Sequence, residues 1–102
     1  MTRAQLQQFA AQQVYRFTGH AGDKLRELRI SLDEVEAVIS AGEVIESSLD
    51  EFGIDNYLVL GHRFNGDQIQ VACKVVTGVL QINTVYFPDP EFWEADGKTR
   101  RK

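Results

Sequence analysis

The longest run of alternating apolar and polar positions lies in the C-terminal half, in "DQIQVACKVVTGVLQINTVYF", residues 67–87. A period of two predicts β-strands that are buried on one face and exposed on the other. We therefore expect strands over residues 56–64, 67–76 and 79–86. Two-residue turns at Asn65-Gly66 and Thr77-Gly78 would join them, because these residues tolerate positive φ. Residues 43–48 predict one more strand, at an edge of the sheet.

The N-terminal half carries its apolar positions at helical spacing instead. Residues 2–17 predict one amphipathic helix, and residues 20–28 predict a second helix that Thr18 caps. Ser31 and Glu34 form a capping box ahead of a third helix, which Gly42 would end in the left-handed conformation. The expected fold is α+β, with two to three N-terminal helices packed on one face of a four-stranded antiparallel sheet.

Two-residue turns also fix which strand positions lie opposite each other. With such turns, Leu58, Cys73 and Ile82 form a row against the helices. A second row, Tyr57, Lys74 and Gln81, then lies on the opposite face. We expect that face to be open and rich in amide side chains.

Composition and charge limit the classes of function. The chain has 102 residues and a formal net charge of −4. The final "KTRRK" holds four of the eleven Lys and Arg residues, so the rest has seven basic against fifteen acidic residues. This balance argues against a general nucleic-acid binder, which needs clustered cations, but it leaves room for a small local site. We expect a single domain over residues 1–95 and a mobile basic tail over residues 96–102.

Other features concern location and cofactors. No segment is long and apolar enough to cross a bilayer, and the single cysteine, Cys73, fits a reducing compartment. We expect a cytoplasmic protein that contacts no membrane. The two histidines are far apart in sequence and no glycine-rich phosphate loop is present, so we expect no metal site and no cofactor.

Several motifs together resemble a known group of bacterial proteins. They are "FTGHAGDKLRELRIS", "VEAVISAGEVIE", "INTVYFPDPEFW" and a terminal "RR", in that order. This combination resembles the domain-of-unknown-function family 4258. The resemblance implies the small ribonuclease fold of the barnase, EndoU, colicin and RelE kind. It also implies the role of a toxin in a type II toxin–antitoxin system, with a cognate antitoxin protein and RNA as partners.

Site residues follow from this resemblance and from the chemistry of RNA cleavage. Cleavage without a metal ion requires a base, an acid and a cation for the phosphate charge. The candidate catalytic residues are His20, Lys74 and Tyr86. The candidate substrate-binding residues are Arg29, Tyr57, Gln70, Gln81 and Asn83. Of these, His20, Arg29 and Tyr86 match motif positions of the family.

Structural roles are the alternative for several of these residues. The His20 imidazole can help to cap a helix, His62 and Tyr86 can pack in the core, and Trp93 can close the end of the sheet. Many members of the family carry histidine at the position of Gln70, and glutamine does not shuttle a proton. The alternative function is therefore a non-catalytic protein–protein interaction module of the same fold. It would bind its partner through the amide-rich face or the edge strand near Val44.

Overall fold

The computed structural model describes residues 1–102 and contains three helices and five strands. In chain order these are α1 (Arg3–Ala11), β1 (Tyr15–Phe17), α2 (Gly19–Leu28), α3 (Leu32–Ala41), β2 (Glu43–Leu49), β3 (Asp55–His62), β4 (Gln68–Val76) and β5 (Val79–Tyr86). None of the three helices has the length and apolar character that crossing a membrane requires.

The five strands form one mixed sheet in the order β1-β5-β4-β3-β2. Strands β2 to β5 are antiparallel to their neighbours, whereas β1 runs parallel to β5. On one face of the sheet α2 packs against β5 and α3 packs against β3, while α1 packs against α3. The predicted α+β class with helices on one face is confirmed, but the sheet has five strands rather than four.

The extra strand arises because the first predicted helix is too long. Helix α1 ends at Ala11, and Gln13 then adopts a positive φ of 53°. The next five residues, "VYRFT", are β-branched or aromatic except for Arg16, and such residues favour strands. The Val14 carbonyl accepts a hydrogen bond from Leu80 N at 3.1 Å, which starts the pairing of β1 with β5.

The predicted helix starts are confirmed. Thr18 caps α2, and Ser31 with Glu34 forms the capping box of α3. Gly42 differs from the expectation because its φ of −75° is not left-handed. A Cβ atom at residue 42 would lie 2.4 Å from the Val38 carbonyl oxygen. The position therefore requires glycine for close packing of α3 on the sheet rather than for a turn.

The main core lies between the helices and the sheet and consists of 15 buried residues. It includes Cys73 and Ile82, as the predicted row requires, together with Val59, Val71 and Val85 from neighbouring positions. Burial raises the pKa of the Cys73 thiol to about 12. Cys73 is therefore a packed, protonated thiol at physiological pH.

The connection between β3 and β4 is a three-residue loop, Phe64-Asn65-Gly66, rather than the predicted two-residue turn. Gly66 N donates to Arg63 O at 2.9 Å, and Gly66 then takes a positive φ of 93°. Arg63 N donates to Asp67 O at 2.7 Å and closes the loop. This is the common hairpin in which a type I turn is followed by a left-handed glycine.

The extra loop residue shifts β3 by one position against β4. Tyr57, not Leu58, lies opposite Cys73, and Leu58 lies opposite Ala72. Because strand side chains alternate between faces, the shift moves Tyr57 to the helix side and Leu58 to the other side. The predicted rows are therefore wrong for every residue of β3. His62, which we expected in the core, is exposed.

The second hairpin follows the prediction for half its length. Thr77 and Gly78 form the two-residue turn with φ values of 52° and 77°, and Lys74 lies opposite Gln81 as expected. A bulge then inserts Asn83 into β5. Beyond the bulge, Tyr86 pairs with Gln70 on the face opposite the helices, so the expected core position of Tyr86 is wrong.

Residues 92–101 form a small hairpin on the second face of the sheet, and we call this segment the cover. Trp93 pairs with Arg100 across it, and the Trp93 side chain is only 4 % exposed. Trp93 therefore covers the sheet face rather than closing its end. The sequence analysis placed residues 96–102 in a mobile tail. In the structure Gly97, Lys98 and Arg100 make hydrogen bonds or ion pairs to side chains of the sheet.

A partly buried ion pair ties the β3–β4 loop to the start of α3. Arg63 Nε lies 2.9 Å from Glu34 Oε2, and Phe64 N donates to the same oxygen at 3.3 Å. The Arg63 hydrogen bond is the largest cause that holds the pKa of Glu34 at about 2, and the backbone N–H groups of Ser31 and Phe64 add to it. Glu34 therefore serves both the helix cap and the loop.

The Glu34–Arg63 pair generates a prediction about stability and pH. We expect Glu34→Gln to lower the free energy of unfolding at pH 7 by about 2 kcal/mol, since a hydrogen bond to a charged group contributes about 1.5–3 kcal/mol. Glutamine still completes a capping box, so the loss reports on the ion pair. The pKa of Glu34 is lowered on folding, so its contribution is complete above pH 4.5 and disappears as the pH falls towards 2.

Urea unfolding of wild type and Glu34→Gln between pH 7 and pH 2 measures the difference in their free energies of unfolding. This difference should shrink steadily as the pH falls through the acid range. A difference that stays constant with pH would contradict the assigned role of the carboxylate.

Candidate functional site

The second face of the sheet carries a row of polar side chains that crosses four neighbouring strands. Arg16 of β1 lies opposite Gln81 of β5, Gln81 opposite Lys74 of β4, and Lys74 opposite Asn56 of β3. We call these four residues the open strip. Arg16 is exposed, and the other three are partly exposed. Adjacent strands are about 5 Å apart, so a single extended ligand can contact all four side chains.

Hydrogen bonds orient the amides of the open strip. Arg16 Nη2 donates to Gln81 Oε1 at 2.9 Å, and Gln81 Nε2 donates to Asn83 Oδ1 at 2.8 Å. The bulge at Asn83 brings this third side chain beside Gln81. These two hydrogen bonds leave further N–H donors free on the Arg16 guanidinium and the Asn83 amide.

The loop between β2 and β3 forms one wall of the strip. Asp50 Oδ1 accepts hydrogen bonds from Phe52 N at 2.9 Å and Ile54 N at 3.0 Å. The Ile54 bond is the largest cause that lowers the pKa of Asp50, so its carboxylate is charged near neutral pH. Its Oδ2 lies 3.7 Å from Lys74 Nζ. That contact is too long for a strong hydrogen bond, so the ammonium retains donors for a ligand.

His20 lies in the first turn of α2, the helix that packs against β5. Thr18, two residues earlier, donates from its N to Ile82 O at 3.0 Å and from its Oγ1 to Asn83 O at 3.1 Å. These bonds fix the start of α2 against the bulge of β5. The His20 side chain is exposed there.

Gln70 and Tyr86 lie on the same face but beneath the cover. The Gln70 side chain is fully buried, and its Nε2 donates to Gly97 O at 2.9 Å. Tyr86, its partner in the sheet, is partly buried, and burial is the largest cause that raises the pKa of its phenol. With the cover in place, these two predicted site residues do not form one surface with the open strip.

Two further predicted site residues lie elsewhere. Tyr57 points to the helix side, where it packs against the core and lines a groove with Phe9, Val14 and Val75. Burial raises the pKa of the Tyr57 phenol. Arg29 ends α2 in the left-handed conformation at φ 56°, and its carbonyl accepts a hydrogen bond from Arg63 Nη2 at 3.0 Å. Neither residue contributes to the open strip.

The structure thus brings together Lys74, Gln81 and Asn83, places His20 in the first turn of α2, and separates the remaining predicted residues from the strip. It adds Arg16 and Asn56, which the sequence analysis missed. Arg16 was assigned to the first helix, although the β-prone run around it was the available signal. Asn56 replaces Tyr57 through the one-residue shift of β3. No three His, Cys, Asp or Glu side chains come close enough together to hold a metal ion.

Comparison with known families gives one match. Residues 17–87 match the family described as Domain of unknown function (DUF4258), and this segment is more than half of the 102-residue chain. It runs from the last residue of β1 to the residue after β5 and leaves out α1 and the cover. Searches of the curated proteins and of the solved structures found no match. The chain belongs to the family described as Domain of unknown function (DUF4258).

Proposed function

We propose that this chain is a metal-independent endoribonuclease that binds single-stranded RNA along the open strip. The observation that carries the proposal is the row of two cations and two amides on an uncovered part of the sheet. We further propose that its fold is related to the barnase, EndoU, colicin and RelE kind. In this proposal the protein acts in the cytoplasm as the toxin of a type II toxin–antitoxin pair.

The open strip has the chemistry that single-stranded RNA requires. Arg16 and Lys74 are two strands apart, about 10 Å by the usual strand spacing, and each can hold a phosphate. The amides of Gln81, Asn83 and Asn56 can donate to and accept from the edges of unpaired bases. Because only two cations contribute and the rest of the chain is acidic, binding should be modest and sensitive to salt.

Cleavage requires proton transfer at both ends of the reacting bond. In our proposal His20 takes the proton of the ribose 2′-hydroxyl, whose oxygen forms a bond to phosphorus while the bond from phosphorus to the 5′ oxygen breaks. Lys74 stabilises the negative charge that develops on the phosphate oxygens. The leaving 5′ oxygen takes a proton from water, because the cover separates Tyr86 from the open strip.

RNA affinity tests the open strip directly. We expect Arg16→Ala and Lys74→Ala each to weaken binding of a labelled single-stranded RNA. Each should also reduce the slope of log affinity against log salt by about 0.7, the value for one lost phosphate contact on a single strand. Fluorescence anisotropy at several salt concentrations measures both quantities.

The matched control is Arg26→Ala. Arg26 is exposed on α2, in the helix layer, and pairs with Asp23. It carries the same charge but lies away from the strip. If all three variants bind RNA like wild type, the open strip does not bind RNA.

Growth arrest and RNA cleavage test the catalytic part. We expect induced expression of the wild-type chain to arrest bacterial growth and the purified protein to cleave single-stranded RNA in the presence of a chelator. His20→Ala should abolish both effects because His20 is the base of the proposed mechanism. His62→Ala is the control, since His62 is also exposed but lies at the far end of β3. Equal activity of the two variants would remove His20 from the mechanism.

The second candidate function, a non-catalytic interaction module, also has an observation in its favour. Strand β2 is an edge strand, its last residue Leu49 is 68 % exposed, and Phe52 in the following loop is 78 % exposed. An exposed edge with adjacent apolar side chains can pair with a strand of a partner protein. In this case growth arrest and RNA cleavage would be absent, and a protein partner would co-purify with the wild-type chain.

A further inference from the structure

The cover has a backbone structure of its own. Glu94 N donates to Thr99 O at 2.8 Å and Arg101 N donates to Phe92 O at 2.9 Å, both within the segment. Gly97 forms its turn with a φ of 72°. No backbone-to-backbone hydrogen bond joins the cover to a strand of the sheet. The cover can therefore leave the sheet without losing its internal hydrogen bonds.

Side chains alone hold the cover on the sheet. Arg100 Nε and Nη2 lie 2.6 and 2.9 Å from the two carboxylate oxygens of Glu46, and Lys98 Nζ lies 3.4 Å from Glu43 Oε2. The Arg100 guanidinium also lies 4.5 Å from the centre of the Trp93 ring. All four charged side chains are substantially exposed, so salt screens these pairs and they hold the cover only weakly.

Apolar contacts make the closed position the favoured one. Leu58 and Leu60 are buried on the second face, and Trp93 is buried in the cover, yet none of the three belongs to the main core. Opening the cover would return these side chains to water, which is unfavourable. The open state is therefore the minor state of a two-state equilibrium.

One buried polar atom favours opening. Gln70 Oε1 has no hydrogen-bond partner beneath the cover, although Gln70 Nε2 is satisfied by Gly97 O. An unpaired buried acceptor is destabilising, and water would satisfy it once the cover leaves. Closing the cover therefore deprives Gln70 Oε1 of the hydrogen bond that water would supply.

We propose that the cover opens and closes as a unit and that, when closed, it restricts RNA to the open strip. Opening exposes Gln70 and Tyr86, which extend the strip along β4 and β5. The inference rests on the proposed RNA-binding function, but the movement of the cover is measured separately from RNA. The closed cover would therefore limit how much of the second face RNA can contact.

Gly97→Ala tests the opening without any change in charge. A Cβ atom at residue 97 would lie 2.6 Å from Gln68 Oε1, and the positive φ is unfavourable for alanine. Gly66→Ala is the matched control. Gly66 has a φ of 93°, but nothing lies within 4 Å of a Cβ there. Both variants strain a turn, but only in Gly97→Ala does the new methyl group also displace the Gln68 amide, which donates a hydrogen bond to Ala95 O of the cover.

Two measurements on the full chain separate the parts of the proposal. Acrylamide quenching of Trp93, the only tryptophan, reports whether the cover is open. Anisotropy of a labelled single-stranded RNA reports affinity at one fixed salt concentration. We expect Gly97→Ala to show severalfold stronger quenching than wild type and Gly66→Ala. We also expect Gly97→Ala to bind RNA more tightly than wild type and Gly66→Ala, because apparent affinity scales with the fraction of molecules whose cover is open.

Different outcomes overturn different statements. If Trp93 is equally shielded in Gly97→Ala and Gly66→Ala, the cover does not open as a unit. If Trp93 becomes accessible but RNA binds both variants equally, the cover does not restrict the site. If no protein binds RNA, the proposed function fails, while quenching still decides whether the cover opens.

A second pair of variants tests the opening without altering the turn. Arg100→Ala removes the contact with Glu46, whereas Arg101→Ala removes a contact with Glu94 inside the cover. We expect trypsin to cleave after Lys98 severalfold faster in Arg100→Ala than in Arg101→Ala, as mass spectrometry would show. Equal cleavage rates would contradict the role of the Arg100–Glu46 pair in holding the cover.

Discussion

The three-residue loop Phe64-Asn65-Gly66 is the constraint on which the two faces of the sheet depend. It sets the register of β3 against β4, and strand side chains alternate between faces. With this register Tyr57 joins the helix-side core, while Leu58 and Leu60 lie on the opposite face. A loop one residue shorter would exchange these positions and leave two leucines in the main core and a tyrosine on the second face.

The position of Leu58 and Leu60 explains why the second face is not uniformly open. Two large apolar side chains on an exposed face would be unfavourable, and a fully buried leucine contributes about 2 kcal/mol relative to an exposed one. Both leucines are buried in the folded chain, as is Trp93 of the cover. The polar row from Arg16 to Asn56 remains outside the cover. The register of one hairpin therefore divides the second face into an apolar, covered half and a polar, open strip.

The same loop is anchored to the helical layer by charge. Glu34 completes the capping box of α3 and accepts hydrogen bonds from Arg63 and from Phe64 N. A single carboxylate thus links the start of a helix to the turn that sets strand register. The Glu34 contacts therefore link the helix side of the sheet to the loop that decides which β3 side chains lie on the second face.

Much of the fold was predictable because it depends on short-range signals. The caps at Thr18 and Ser31, the Thr77-Gly78 turn, and the inward positions of Cys73 and Ile82 all follow from neighbouring residues. The β3 register was not predictable in this way, since Asn65-Gly66 fits both a two-residue turn and the end of a three-residue loop. The bulge at Asn83 and the docking of the cover depend on contacts between distant parts of the chain.

For the site, these same long-range features decide which of the predicted residues share one surface. Lys74, Gln81 and Asn83 were placed on the open face because β4 and the start of β5 follow simple alternation. Tyr57 was misplaced by the loop, and the docked cover made Gln70 inaccessible. Arg16 was missed because helical spacing in residues 14–17 concealed a short strand. The parallel pairing that positions Arg16 joins residues more than 60 positions apart.

The register of β3 is the central claim, and cross-strand NOEs between backbone protons measure it most directly. The account predicts contacts between Tyr57 and Cys73 and between Val59 and Val71. Contacts between Leu58 and Cys73 and between Leu60 and Val71 would instead indicate the two-residue turn. That result would return Tyr57 to the second face and contradict the division into an open strip and a covered half.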